Sequence, residues 1–130
     1  MLDSNLSLFL ERNINKLNLI YLKKNIIKLE FKMISIKIYH QGNDILIGAC
    51  DKELIGKKFV DGKLQIDVTK EFYGGRIIPI ETLIKYLKEA TIANLVGKNA
   101  VKCAIKIGLV DPKCILKIKG IPHAQMVRMR

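Results

Sequence analysis

The sequence has no tryptophan, and aromatic residues make up only 6% of its 130 positions. A broad aromatic platform, of the kind on which single-stranded bases stack, is therefore poorly supplied. Cysteine is scarce as well. Cys50, Cys103 and Cys114 form no C-x-x-C pair and leave an odd count, so no disulfide framework is expected and a reducing, cytoplasmic setting fits better. Each is read as a small buried hydrophobe. No uncharged apolar run approaches the roughly 20 residues a membrane-spanning helix needs. No small-residue cleavage site follows an apolar run near the start, so no secretory signal is read. Walker and dinucleotide glycine loops, H-E-x-x-H, G-x-S-x-G and the kinase signatures are all missing, which counts against the well-marked enzyme classes. No cofactor or metal is implied.

What the sequence has in excess is positive charge. Against 12 acidic residues stand 23 lysines and arginines, a net charge of +11. That excess suits a polyanionic partner such as RNA or a ribonucleoprotein, through counterion release. The lysines are spread along the chain, so a solvated surface accounts for them equally well. The hydrophobic fraction of 49% suffices for one packed core in a chain of this length.

Residues 1–32 contain no glycine, proline or cysteine, and Leu6, Phe9, Leu10, Ile14 and Leu17 recur at near-helical spacing. They read as a helical extension ahead of a single domain over residues 33–130. That domain opens with Ile34, Ile36 and Ile38 alternating with Ser35, Lys37 and Tyr39, a strand. The turn Gln41-Gly42-Asn43-Asp44 leads to a second strand over 45–50, so the two form a hairpin. Asp51 is placed to cap one helical turn through Leu54. A third strand is expected over 64–68, a loop over 71–75, a short extended run over 76–78 and a helix over 81–90 entered through Pro79. Residues 91–108, T-I-A-N-L-V-G-K-N-A-V-K-C-A-I-K-I-G, read as two helical pieces meeting at Gly97. Asp111-Pro112 starts a tight turn, and 115–119 and 123–128 read as two last strands. The expected class is α+β, a small mixed or antiparallel sheet packed against a central helical segment.

Four ordered stretches, E-F-Y-G-G (71–75), A-T-I-A-N-L-V-G (90–97), A-I-K-I-G-L-V-D-P (104–112) and I-P-H-A-Q (121–125), resemble the archaeal family of small proteins known as domain of unknown function 424 (DUF424). The resemblance runs from Met33 to the C-terminus and leaves residues 1–32 outside it. It implies an archaeal, cytoplasmic protein and carries no activity with it.

Three groups of residues are candidates for function. Leu95-Val96-Gly97 with Ala100, Ile105 and Gly108 partly resembles the second half of a helix-hairpin-helix element. There Gly97 and Lys98 would hold a phosphate at a helix start; a plain helix–helix turn explains the same residues, and Leu95 stands where a second glycine is usual. Tyr73, Gly74 and Gly75 could let the backbone approach a ligand while Tyr73 stacks on a base, or could simply form a turn with Phe72 buried and Tyr73 half exposed. His123 and Gln125 point to one face of a strand, and with Asn94 they make a candidate polar pocket; a structural histidine is the plainer alternative. The leading expectation is a small RNA- or ribonucleoprotein-binding module without catalysis, using Lys57, Lys58, Tyr73, Gly74, Gly75, Arg76, Gly97, Lys98, Arg128 and Arg130. The alternatives are a small enzyme with a pocket near Tyr73 and His123, or a protein–protein adaptor.

Overall fold

Alternation of isoleucines with polar residues makes β1 (Met33–Gln41), and the turn at Gly42, whose φ is 59°, folds β2 (Asp44–Asp51) back along it. The computed structural model describes residues 32–128 and, before them, Lys23 alone. The chain divides into two units, Met1–Phe31 and Lys32–Arg130, and the sheet and its helices belong to the second. The helix expected near the N-terminus and Arg130 lie outside the described residues.

A six-stranded mixed sheet runs β5 (Arg76–Pro79), β1, β2, β6 (Ile92–Val96), β8 (Ile121–Val127), β7 (Leu116–Ile118). Only β2 and β6 pair in parallel. One face is covered by α2 (Ile80–Glu89) and α3 (Lys98–Lys106), which bury Ile34, Ile36, Ile47, Ala49, Ala93, Leu95, Ala124 and Met126 against Leu83, Leu87, Ala100 and Ala104. The opposite face is covered in part by a separate hairpin, β3 (Lys58–Asp61) with β4 (Leu64–Asp67), and by the four-residue helix α1 (Lys70–Tyr73). Here Leu54, Ile66, Val68 and Tyr73 close over Cys50, Val96 and Ile118.

Three expectations are corrected. Residues 92–96 form a strand near the middle of the sheet, not a helix. Ala93 and Leu95 enter the helix-side core while Asn94 and Val96 face the other way; with Ile92 and Val96 apolar on that face too, and Asn94 its one polar member, the run carries too little alternation to distinguish it from a helix. Thr91 fastens that strand: its hydroxyl accepts from the Ile45 N–H at 2.9 Å and donates to the Asp44 carboxylate at 3.0 Å. Residues 71–75 are mostly helix, since the Thr69 hydroxyl accepts from the Phe72 N–H at 3.2 Å and caps α1. The 3-10 turn Lys52–Leu54 forms, but the Asp51 side chain does not cap it.

Asp51 caps α3 instead. The residue is 3% exposed, and its carboxylate accepts from the N–H groups of Asn99 (3.1 Å) and Ala100 (2.9 Å). Parallel pairing of Cys50 with Val96 brings the end of β2 beside the start of α3, and the helix dipole favours a carboxylate there. Gly97 makes room for it. Its φ of 108° suits only glycine, and a Cβ at this position would fall on the Asp51 carboxylate.

Candidate ligand recess on the sheet face

The register of the central strands arranges the face away from α2 and α3 in three rows. Ser35, Cys50, Val96, His123 and Leu116 lie in one; Lys37, Gly48, Asn94 and Gln125 in the next; Tyr39, Leu46, Ile92 and Val127 in the third. The β3–β4 hairpin covers the first row around Cys50 and Val96. Where that cover ends, a recess of about 260 Å³ opens, lined by Gln65, Ile66, Asp67, Phe72, Tyr73, Asn94, His123 and Gln125.

Its wall is held by α1, which three alternating side chains of β1 bind to the sheet. Ser35 Oγ donates to the Tyr73 carbonyl at 2.8 Å, Lys37 Nζ to the Glu71 carbonyl at 2.8 Å, and the Tyr39 hydroxyl to the Glu71 and Phe72 carbonyls at 3.0 and 2.9 Å. Phe72 stacks on Tyr39 and meets Tyr73 edge-on. It also lies over Gly48, where an added Cβ would stand 2.8 Å from both its ring and its carbonyl oxygen. Gly48 thus lets Phe72 sit down on the sheet beside Asn94.

Asn94 and Gln125 are directly opposed on antiparallel strands, a pairing that sets Cβ atoms about 5 Å apart. Among the described residues neither amide, nor the His123 ring, nor the Tyr73 hydroxyl is bonded to another protein group. Every side-chain polar atom sealed from solvent there has a partner, so these groups open into the recess. Burial lowers the pKa of His123 below its ordinary 6.5, so the ring is neutral at pH 7. Burial, with Cys50 and Tyr39 nearby, pushes the Tyr73 phenol up to about 12, which keeps it a donor. The recess therefore offers amides, a neutral imidazole, a phenol and the Asp67 carboxylate. Such a surface suits a neutral, hydrogen-bonding ligand better than a phosphate. Among the described residues no three His, Cys, Asp or Glu side chains gather to hold a metal ion, and no described helix is long and apolar enough to cross a membrane.

The polar pocket residues expected from sequence, Asn94, His123 and Gln125, are brought together, with Tyr73 beside them. Tyr73 is only 7% exposed, so its ring has no face free for a base; Phe72 is the half-buried one, the reverse of the turn expected from sequence. Gly74 and Gly75 spend their freedom on the protein, packing against Lys70 and against the Ile36–Lys37 backbone. The N–H groups that a phosphate would need beyond Gly97 are taken by Asp51. The remaining basic residues do not form one cluster. Lys98 follows Val96 at one end of the β6–β8 pair and Arg128 follows Val127 at the other. Arg128 donates to the Lys88 carbonyl and Arg76 to the Tyr86 hydroxyl, both at 2.8 Å. Lys57, Lys58 and Lys98 are exposed, and Lys58 pairs across the hairpin with Asp67. Gln65, Asp67 and Phe72 were missed, although the alternation of Gln65 and Asp67 with Leu64, Ile66 and Val68 was a signal that they share one face.

These features define a small α+β protein with a six-stranded mixed sheet, helices on one face and a polar recess on the other. The chain belongs to the family described as protein of unknown function (DUF424), whose model matches residues 38–129. No curated protein matches it. Among solved structures it is similar to an uncharacterized conserved protein from Methanopyrus kandleri, with a TM-score of 0.65 and 21% identity over 75% of this chain and 95% of that one. At that identity the likeness is one of fold.

Proposed function

We propose that the protein is a small RNA- or ribonucleoprotein-binding module, cytoplasmic and archaeal, that holds one unpaired base in the recess. The observation that carries this reading is the facing pair of Asn94 and Gln125 amides, uncommitted within the protein. Each amide presents a donor and an acceptor, the combination that reads a base edge. Phe72 supplies apolar wall beside them. The net charge of +11 supplies the sequence-independent attraction, with Lys57, Lys58 and Lys98 exposed to phosphates and no described lysine lining the recess itself.

A second reading, a small enzyme at the same place, is favoured by one specific feature: the His123 ring and the Tyr73 hydroxyl, neither bonded to another protein group among the described residues, line the same recess as the Asp67 carboxylate. Crosslinking the protein in native lysate, with and without RNase, separates the two. A nucleotide adduct on the peptides bearing Asn94 or Gln125 supports the RNA module. A small molecule retained after RNase treatment, with no nucleotide adduct, supports the enzyme.

A further inference from the structure

The row beside the recess has a different character. Tyr39, Leu46, Ile92 and Val127 align across four strands, and among the described residues Leu46, Ile92 and Val127 belong to neither buried cluster. Val127 is 72% exposed. We propose that this apolar ledge is a second subsite, taking the base next to the one in the recess; it rests on the reading of the recess as a base site.

Spacing and continuity argue for that occupant. Rows on one face of a strand are two residues apart, about 6.7 Å. That is about twice the 3.4 Å rise between stacked bases of one strand. A strand lying across both rows therefore has its bases splayed, which is how proteins read single-stranded RNA. The ledge adjoins the amide row without a break, because Ile92 and Asn94, like Gln125 and Val127, are successive residues on the same face. Its side chains lack polar groups, apart from the Tyr39 hydroxyl already committed to α1. It can take the flat face of a base but cannot read its edge. The pair of subsites thus predicts selectivity at one nucleotide and tolerance at its neighbour.

NMR titration of the full chain with the four ribonucleoside 5′-monophosphates, then with mixed-sequence dinucleotides, tests this directly. Monophosphates should shift the signals of Asn94, His123 and Gln125. Dinucleotides should also shift Leu46, Ile92 and Val127 and bind roughly fivefold tighter or more, the low end of what stacking one base supplies. In Val127→Ser, which alters an exposed side chain, monophosphate affinity should be unchanged while the dinucleotide gain falls below about twofold, as expected when ledge contact is lost. A gain that survives the substitution, or that leaves the ledge signals unmoved, overturns the second subsite while sparing the recess. Absence of binding by either probe overturns both. A concentration-dependent dimer that Val127→Ser dissolves would assign the ledge to a second copy of the chain and overturn the subsite equally.

Discussion

Gly97 meets two demands at once, a φ of 108° and a carboxylate packed against its α-carbon. Gly97→Ala should cost about 1–3 kcal/mol for the backbone alone, with the displaced Asp51 cap adding to it. If the two effects share one cause, Gly97→Ala and Asp51→Ala will be non-additive in a double-mutant cycle read by denaturant unfolding. At His123 the relevant variable is pH. A histidine whose folded pKa lies below 6.5 binds fewer protons folded than unfolded. Its contribution to stability is therefore present above pH 6.5 and lost as pH falls through the folded value. Unfolding midpoints of the wild type should drop more steeply below pH 6.5 than those of His123→Gln; parallel curves would mean the ring is solvated.

At the scale of elements, α3 lies against the sheet through Ala100 and Ala104, both wholly buried. Ala104→Leu should overpack that contact and cost about 1–3 kcal/mol, seen as a lowered midpoint in urea. The β1–β2 hairpin could be read from sequence because its isoleucines alternate and a glycine turn separates them. The strand at 92–96 could not, since Ile92 and Val96 on one face are as apolar as Ala93 and Leu95 on the other and little alternation remains. Its polar exception, Asn94, was nonetheless visible, as were His123 and Gln125 two residues apart. The other walls of the recess depend on distant pairing. Phe72 reaches it only because Gly48, 24 positions earlier, lacks a side chain, and Asp67 only because the β3–β4 hairpin folds over the sheet. The role of Asp51 was hidden for the same reason: its partners are 48 and 49 residues away, while a nearer turn offered an obvious but mistaken use.

On the proposed RNA-binding reading, sheet and charge divide the work across the whole molecule. Lysines spread over the surface, including Lys57, Lys58 and Lys98, would supply attraction that weakens as salt rises, while the recess would supply choice of base. The most direct measurement is the affinity of a single-stranded RNA octanucleotide, at several salt concentrations, for the wild type and for Asn94→Ala with Gln125→Ala. The expected result is binding about tenfold or more weaker in the double variant, with the slope against salt and the unfolding midpoint unchanged, because base contacts are removed and phosphate contacts kept. Equal affinity in the two proteins, or no binding by the wild type at low salt, would contradict the account.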